Sequence, residues 1–398
     1  MSLLLEGVRP APGVKVQAAQ QVFVSDAIVD ILIDDSGNIV QVGAGPRSSL
    51  SLECPSLDCS GLMISPGWTD LHTHIYTGGS DFSLSPELIG PTTGVLNLVD
   101  AGSAGEGNFS GLVRYVIEPA EFPILASLNI GSIGLVAANR VSEVAFPTSI
   151  HVQETIECAR RYSDYICAIK VRSCGEVVGE AGITPLRQAR EVADVLGLPL
   201  IVHIGLAEPT LPEILSLLRP GDMVTHIFHG KENNTFLHYG KEVQAALARG
   251  IWIDVGHGVA SFSYRVARQA IEAGIYPHTI STDLHGWSVD GPVWDLPTTM
   301  SKLLALGMPL ESVIAAVTVK PAEFLRRPNW GQIQVGAKAR LTVFELVERI
   351  GTDGAGGIVI ADSLGDGLSI SRFFQPRYTI YGTKWWQASS RFLRELEQ

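Results

Sequence analysis

The chain has 398 residues, a length that predicts two domains, one of which can be a large barrel. Hydrophobic residues make up 46% of the chain and charged residues 18%, a balance typical of a folded globular protein and not of a disordered one. The 29 basic and 41 acidic residues give a formal net charge of −12, and no basic block occurs. Nucleic acid and anionic membranes are therefore not expected as partners.

The first residues and the cysteines predict a cytoplasmic protein. The amino-terminal MSLLLEGVRPAPG lacks the basic region and the apolar stretch of a signal peptide. No apolar run approaches the ~20 residues that a membrane-spanning helix needs. The cysteines are odd in number and form no Cys-x-x-Cys pair, so free thiols in a reducing cytoplasm are expected at positions 54, 59, 158, 167 and 174.

Both ends of the chain have the alternating pattern of β-strands. Near the start, short alternating segments are broken by an Asp-Ser-Gly-Asn turn at 35–38, which predicts strand, turn and strand. The same pattern returns at 339–345 and 377–385. Because neither β-rich end can bury a core alone, we expect residues 1–61 and 335–398 to pair as one small composite β-sandwich.

Between these ends, apolar runs alternate with helix-like stretches such as 151–163, 184–196 and 240–249. The apolar runs have the length and composition of buried strands, and eight of them occur, at 62–74, 93–102, 123–132, 165–173, 198–205, 222–230, 251–258 and 278–286. Eight strands that alternate with helices predict an α/β fold with a (β/α)8 TIM barrel over residues 62–334. A further helical segment is expected near 297–326.

Metal-ligand side chains stand at the ends of several of these predicted strands. His72 and His74 close the first strand at a spacing of two, so both imidazoles point to the same face and can share a metal. His203 ends the fifth strand, His226 the sixth and Asp283 the eighth. Paired histidines alone can be polar residues at a sheet end, but catalytic groups in this fold also lie at strand ends. With only 10 histidines in the chain, the placement predicts a metal site.

Lys170 lies in the apolar fourth strand, where no neighbour in the sequence offers an acidic partner for its ammonium group. One interpretation is a lysine that reaches solvent or a distant carboxylate. The other is a carbamate, because desolvation lowers the pKa of a lysine and favours the neutral amine that captures carbon dioxide. An anionic carbamate would bridge two metal ions such as Zn²⁺ about 3.5–4 Å apart.

Four more residues at the predicted barrel mouth are candidate substrate contacts. Arg172 lies two residues past Lys170 on the same strand face, where it can clamp a carboxylate or form a structural ion pair. Asn129 ends the third strand and can donate a hydrogen bond to an acyl oxygen or cap a loop. His257 and His285 follow strands seven and eight, where loop histidines without a role are also common.

Taken together, these residues resemble the binuclear, carbamylated-lysine branch of the amidohydrolase superfamily. The segments PGWTDLHTHIYTGG, SLNIGSIGL, IKVRS and THIFHGKEN are similar to the dihydroorotase-like deacetylases, which act on N-acetyl amino acids and acetylated hydroxy acids. The resemblance also covers the split β-rich ends. It implies two groups of metal ligands bridged by Lys170, with His72, His74 and Asp283 on one metal and His203 and His226 on the other.

Two departures narrow the activity that the resemblance implies. Residues 75–79 follow the His-x-His pair where dihydroorotases of the pyrimidine pathway usually carry an arginine. Position 206 is leucine, and Glu208 is two places too far along for the His-x-x-Glu of mononuclear deaminases. Deacetylation is therefore favoured over both of these activities.

The expected function is that of a zinc-dependent hydrolase that cleaves an amide or ester of a small carboxylate-bearing molecule. A metal-bridging water attacks the carbonyl, while Asp283 accepts its proton and passes one to the leaving group. A cyclic amidase of dihydroorotase or hydantoinase type is an alternative. A non-catalytic scaffold paralogue is a second alternative, although a scaffold has no reason to keep a complete ligand set. A homo-oligomer is left open.

Overall fold

The computed structural model describes residues 1–44, 54–138, 140–232, 234–351 and 356–397. Within them the strands are, in chain order, β1 (Leu3–Pro10), β2 (Val16–Gln17), β3 (Val22–Phe23), β4 (Val29–Ile33), β5 (Ile39–Ala44), β6 (Ser56–Asp58), β7 (Met63–Pro66), β8 (Trp68–Thr73), β9 (Val95–Asp100), β10 (Ile124–Asn129), β11 (Ile166–Arg172), β12 (Leu200–His203), β13 (Met223–Thr225), β14 (Trp252–Ile253), β15 (Ile333–Gln334), β16 (Arg340–Glu348), β17 (Ile358–Ala361), β18 (Gly367–Ile370), β19 (Arg372–Tyr381) and β20 (Lys384–Gln387).

The helices of the same residues are α1 (Pro86–Ile89), α2 (Phe109–Leu112), α3 (Val152–Arg161), α4 (Gly175–Val178), α5 (Thr184–Leu196), α6 (Leu211–Leu217), α7 (Phe236–Ala248), α8 (Tyr264–Glu272), α9 (Leu296–Ala305), α10 (Leu310–Val317), α11 (Val319–Phe324) and α12 (Arg391–Leu396). The stretches predicted at 151–163, 184–196 and 240–249 are confirmed as α3, α5 and α7, and the segment 297–326 contains α9, α10 and α11. Short 3₁₀ or π turns lie at Pro91–Thr93, Val113–Ile117, Pro147–Ser149, Gly179–Ala181 and Pro328–Gly331. No helix in the described ranges is both long enough and apolar enough to cross a membrane.

Seven parallel strands, β8 to β14, form one curved sheet in which each strand pairs with the next along the chain. Every residue of β8, β9 and β10 is buried, as is typical of parallel strands that are covered on both faces. The eighth predicted run, 278–286, forms single parallel bridges to the strands on both sides, Asp254 to Thr279 and Thr73 to Leu284. The domain is therefore TIM-barrel-like, as the eight runs predict.

The inner faces of the barrel strands carry an apolar layer beneath a polar one. Alternate residues of a strand share a face, so Ala168 precedes Lys170 and Ile201 precedes His203 on the inside. The apolar residues form a cluster separate from the main core, in which Phe324 at the end of α11 is also included. The polar side chains therefore lie at the carboxyl ends of the strands, above a filled barrel interior.

Strands from the two ends of the chain pair in one sheet. Its order is β20-β19-β16-β7-β1-β4-β5, with β6 also on β1, and a three-stranded sheet β15-β2-β3 joins the ends a second time. The first predicted barrel run, 62–74, contains a boundary, because β7 pairs with β1 and β16 whereas β8 begins the barrel. The division into 62–334 and a composite sandwich of 1–61 and 335–398 stays a prediction, and residues 45–53, 139, 233, 352–355 and 398 of those ranges lie outside the described residues.

Three buried aromatic rings pack where the barrel meets the terminal sheet. The ring centroid of Trp68 in β8 lies 5.1 Å from that of Phe344 and 6.1 Å from that of Phe374. The two phenylalanine rings are 5.8 Å apart and come from β16 and β19. All three side chains are fully buried, so the contact fastens the last part of the chain to the first barrel strand.

Phe344→Ala should therefore destabilise the whole protein. Removal of a buried phenylalanine ring costs about 3–5 kcal/mol through lost burial and the cavity left behind. The thermal unfolding temperature, followed by far-ultraviolet circular dichroism, should fall clearly below that of the wild type. Phe146→Ala is the matched control, since the side chain of Phe146 is 64% exposed, and it should leave the unfolding temperature unchanged. Equal unfolding temperatures for the two variants would contradict the prediction.

Candidate metal centre

The predicted ligands converge at the carboxyl ends of the barrel strands. Oδ1 of Asp283 lies 3.0 Å from Nε2 of His74 and 3.4 Å from Nε2 of His72. Nζ of Lys170 lies 3.2 Å from Nε2 of His72. These four side chains come from the first and fourth strands and from the segment that closes the barrel, so the tertiary fold places them around one space.

His226 and His203 complete this group. The ring of His226 lies 5.0 Å from that of His72 and 4.3 Å from that of His203 between centroids. His72, His226 and Asp283 each offer a ligand atom, and these atoms all lie within 4.8 Å of one another. Nε2 of His226 is buried and has no hydrogen-bond partner among the described residues. A divalent metal would satisfy this nitrogen, so the residues present fit a metal ion.

Two of these ligands have a backbone conformation that is rare for residues with a side chain. The φ angles of His226 and Asp283 are 67° and 52°, in the left-handed region. The backbone N–H of Asp283 donates a 2.7 Å hydrogen bond to the carbonyl of His72, which anchors the turn. Unfavourable backbone conformations of this kind persist where the surrounding structure holds them, and they concentrate at functional sites.

Hydrogen bonds behind the imidazole rings decide which nitrogen faces the site. Nδ1 of His226 donates a 2.6 Å hydrogen bond to the carbonyl of Gly256, which can only accept. The hydroxyl of Thr225 donates to Asp254 at 2.7 Å and therefore accepts from Nδ1 of His72 at 3.1 Å. In both rings Nδ1 carries the proton and Nε2 presents a lone pair, as metal-ligating histidines require.

Burial keeps the four candidate histidine ligands neutral. It lowers the pKa of His74 and of His226 to about 3. Burial also lowers the pKa of His72 and of His203 well below the ordinary value of 6.5. Neutral imidazole is the form that binds metals, so near neutral pH all four rings are available as ligands without loss of a proton.

Lys170 is almost completely buried beside Gly102. A side chain at Gly102, whose φ is 89°, would come within 2.9 Å of Cγ of Lys170, so glycine gives the lysine stem its space. Burial lowers the pKa of Lys170 to about 8, and the carboxylate of Asp283 opposes this shift. Part of the population is therefore a neutral amine at pH 7 to 8, which is the form that reacts with carbon dioxide. The carbamate itself stays a prediction.

A cavity of about 230 Å³ opens beside this centre. Its lining residues come from several barrel loops and include His74, Arg172, His203, Asp283, His285, Phe82, Trp287, Glu176 and Lys231. Phe82, Trp287 and Glu176 lie outside the segments that carry the resemblance, and Lys231 lies inside one of them, but none of the four was predicted as a site residue. Only tertiary contacts bring them together: the rings of Phe82 and Trp287 lie 5.4 Å apart, and Nζ of Lys231 lies 2.7 Å from Glu176. The cavity thus combines aromatic surface with paired charges.

Arg172 has a protein partner in the structure. Its Nε and Nη2 donate hydrogen bonds of 2.8 Å and 2.6 Å to the two carboxylate oxygens of Glu143, which is buried. This bidentate pair is the structural alternative that the sequence left open. Arg172 also lines the cavity, so contact between its guanidinium group and a substrate stays a prediction.

His285 lies in the cavity wall, with its ring centroid 6.3 Å from that of His74. Nδ1 of His285 accepts a 3.2 Å hydrogen bond from the backbone of Trp287, and burial lowers the pKa of His285 to about 4. The neutral ring therefore carries its proton on Nε2 and can donate it to a ligand.

The other two predicted substrate contacts are not among the described residues that line this cavity. Asn129 donates from Nδ2 to the carbonyl of Gly102 at 2.9 Å and accepts from the backbone of Gly131 at 2.8 Å. Both polar atoms of its amide thus hold loops, as the capping alternative expected. His257 lies behind the centre, where its Nε2 is 2.8 Å from Nζ of Lys302.

Because its candidate histidine ligands are buried, the metal-free protein should lose stability at mildly acidic pH. The pKa of His226 is about 3 in the folded protein, below the ordinary 6.5 of an unfolded chain, so the unfolded state binds protons first. The contribution of neutral His226 to the stability of the folded protein is complete above pH 6.5 and decreases as the pH falls toward 3. The unfolding temperature should therefore fall from pH 7 to pH 5.

His226→Asn should make this pH dependence shallower, because asparagine does not titrate here and tolerates the left-handed backbone. His151→Asn, which replaces a histidine whose side chain is half exposed, should keep the wild-type dependence. A wild-type unfolding temperature that is constant or rises between pH 7 and pH 5 would disprove the argument.

Comparison with known proteins identifies the family to which the chain is similar. Residues 178–364 match the Amidohydrolase family. A deacetylase of Brucella anthropi is 43% identical over 363 residues, which cover 90% of this chain and 88% of that protein. A deacetylase of Agrobacterium fabrum is 42% identical, with 90% of this chain and 87% of that protein covered.

Solved structures of similar proteins point to the same family. A dihydroorotase structure matches with a TM-score of 0.89 and 41% identity over 98% of both chains. An adenine deaminase structure matches with a TM-score of 0.84 and 30% identity over 97% of this chain and 99% of that one. These similarities confirm the resemblance that the strand-end residues carry: the chain belongs to the amidohydrolase superfamily and is a hydrolase that acts on C–N bonds.

Proposed function

We propose that this protein is a zinc-dependent deacetylase that removes an acetyl group from a small carboxylate-bearing substrate, an N-acetyl amino acid or an O-acetyl hydroxy acid. The observation that carries the proposal is the convergence of four neutral histidines, Lys170 and Asp283 beside a cavity of about 230 Å³. A cavity of this size suits a small molecule. The deacetylase names of relatives at 43% and 42% identity support acetyl as the acyl group that water attacks.

Two Zn²⁺ ions are proposed as the cofactor, with Lys170 carbamylated between them. His72, His74 and Asp283 would hold one ion, and His203 and His226 would hold the other. The buried lone pair of His226 Nε2 and the neutral state of the rings support this assignment. When bound, such ions lower the pKa of water and polarise a carbonyl group.

Asp283 is the proposed general base. Its carboxylate lies within 3.4 Å of both histidines of the His-x-His pair, so it faces the place where water and the acyl carbon meet. It accepts the proton of the attacking water and then delivers a proton to the leaving nitrogen or oxygen, which completes hydrolysis without a change in its own charge. Its position at the end of the closing strand is typical of catalytic residues in this fold.

The proposed substrate carboxylate meets the cationic part of the cavity. Lys231 and Glu176 form a partly exposed pair at 2.7 Å, so Lys231 can turn from Glu176 to a substrate at little cost. Arg172 adds positive charge nearby, although Glu143 already occupies its fork. His285, a neutral donor at Nε2, is placed to hydrogen-bond a substrate oxygen.

A cyclic amidase is the second candidate function. The similarity to a dihydroorotase structure at 41% identity specifically favours it, and the same ligands and base would serve a ring amide. A scaffold without activity is disfavoured, because buried lone pairs and uncompensated polar groups destabilise a protein that never binds a metal.

Two features outside the site complete the proposal. The free state of all five cysteines supports a cytoplasmic location. The pairing of both chain ends in shared sheets supports a barrel domain of 62–334 with a composite β-domain of 1–61 and 335–398. A homo-oligomer is compatible with this arrangement.

Lys170→Ala should remove both metals, because it deletes the bridging group. Metal analysis by inductively coupled plasma mass spectrometry should give two ions per wild-type chain and fewer than one per variant chain. A short carboxylic acid added in solution should restore part of the metal content and activity, since it can replace the carbamate. Lys241→Ala, at an exposed lysine of α7, should keep both ions. A wild type with one tightly bound ion, or a variant that keeps two, would refute the bridge.

Asp283→Asn tests the function itself. Zinc-loaded wild type is first assayed on N-acetyl D- and L-amino acids, O-acetyl hydroxy acids, dihydroorotate and hydantoins. We expect turnover of an acetylated substrate. In the variant kcat and kcat/KM should fall together by roughly 10²–10⁴-fold, because the base acts in the transition state.

Asp290→Asn, at an aspartate whose side chain is 75% exposed, is the control and should retain activity. Turnover of the cyclic amides alone would favour the second candidate function. A metal-loaded Asp283→Asn variant with normal kcat would show that the proposed base is wrong.

A further inference from the structure

A second buried lysine lies outside the metal centre and is completely enclosed. Lys302 belongs to α9, and its Nζ lies 2.8 Å from Nε2 of His257. It donates further hydrogen bonds of 2.6 Å and 3.2 Å to the carbonyl oxygens of Pro292 and Ala361. An ammonium group has three N–H donors, and three acceptors surround this one.

His257 can only accept the hydrogen bond from Lys302. Its Nδ1 lies 3.0 Å from the carbonyl oxygen of Gly258, and a carbonyl oxygen has no proton to give. Burial lowers the pKa of His257 well below its ordinary value, so the ring is neutral and Nε2 keeps its lone pair. The same ring stacks on Phe262, with centroids 4.5 Å apart. Lys302 and Phe262 therefore hold His257 in one orientation.

The glycines on both sides of His257 lie directly against two of the candidate metal ligands. The carbonyl of Gly256 accepts the 2.6 Å hydrogen bond from Nδ1 of His226, and a Cβ on Gly256 would come within 2.7 Å of that nitrogen. A Cβ on Gly258 would come within 2.5 Å of Oδ2 of Asp283. Because the segment 256–258 fits this closely, a shift of His257 displaces both ligands.

We propose that Lys302 is a positioning residue for the metal centre, which acts through His257 and its flanking glycines to set His226 and Asp283. The inference rests on the proposed function, since positioning matters only where these ligands hold a metal. The proposed base, Asp283, and one ligand of the second ion, His226, are then held in place by one residue outside the metal centre.

The hairpin of β17 and β18 joins the same network. The hydroxyl of Ser363 donates a 2.8 Å hydrogen bond to the carbonyl of Gly258, and the carbonyl of Ala361 accepts from Lys302. This part of the carboxyl-terminal region thus contacts the segment 256–258 directly. The hairpin of β17 and β18 is therefore linked to His226 and Asp283 through the segment 256–258.

Lys302→Met removes the three donors and keeps an unbranched side chain. In enzyme loaded with Co²⁺, we expect a shifted d–d absorption spectrum, and both Co²⁺ affinity and kcat lower by roughly 10–100-fold. KM should change little, because Lys302 is not among the described residues that line the cavity. His257→Phe keeps an aromatic ring on Phe262 but removes the acceptor, so it should give the same signature. The double variant should be no worse than the more affected single one, because both break one link.

Lys320→Met is the matched control, since this lysine is exposed and paired with Glu323, and it should keep the wild-type spectrum. A lower unfolding temperature with a wild-type spectrum and affinity would mean that Lys302 only stabilises the fold, and would overturn the proposal. Losses that add in the double variant would overturn it as well. If Lys302→Met does not fold, the Co²⁺ spectra and affinities of His257→Phe and Ser363→Ala decide whether the proposal holds.

The measurements separate this inference from the proposed function. A wild type that binds no Co²⁺ would refute both. A wild type that binds Co²⁺ but hydrolyses none of the acetylated substrates would refute the proposed function alone, and the spectra and affinities of the variants would still decide the role of Lys302.

Discussion

The carboxylate of Asp254 holds together the part of the barrel on which the metal centre depends. It accepts hydrogen bonds of 2.6–2.7 Å from the hydroxyl groups of Thr225, Thr279 and Ser281, which join β13 to the segment that closes the barrel. A buried carboxylate without such donors would strongly destabilise the fold. Because the proton of Thr225 goes to Asp254, its oxygen accepts from Nδ1 of His72. One buried carboxylate therefore closes the barrel and orients a ligand.

Asp70 provides the matching attachment on the other side of the closing segment. Its carboxylate accepts hydrogen bonds from the backbone and the hydroxyl of Thr282, at 3.1 Å and 2.6 Å. Side-chain bonds add to the few backbone bonds of this segment, in which the left-handed backbone of Asp283 interrupts an extended strand. A residue held in that region costs about 1–3 kcal/mol. The hydrogen bonds from Thr282 fasten the residue next to Asp283 to the first barrel strand.

Burial favours the neutral form of both kinds of proposed ligand, the histidines and Lys170. Exclusion of water from the barrel mouth lowers the pKa of His74 and His226 to about 3, which leaves neutral imidazoles. The same burial lowers the pKa of Lys170 to about 8, which makes a neutral amine accessible. Lys231 and Glu176, which pair with each other in the cavity wall, are both partly exposed to solvent. The buried part of the site therefore suits metal binding and the outer part suits a polar substrate.

The sequence by itself predicted the succession of barrel strands and the candidate metal ligands at their ends, because alternation and strand ends are local properties of the chain. Tertiary structure decided where the run 62–74 divides, since the pairing of β7 with β1 and β16 is what separates it from β8. It also decided the partners of the charged groups, Arg172 with Glu143 and Lys231 with Glu176, which lie 29 and 55 residues apart. Such contacts arise from packing between loops, so no local pattern of residues encodes them.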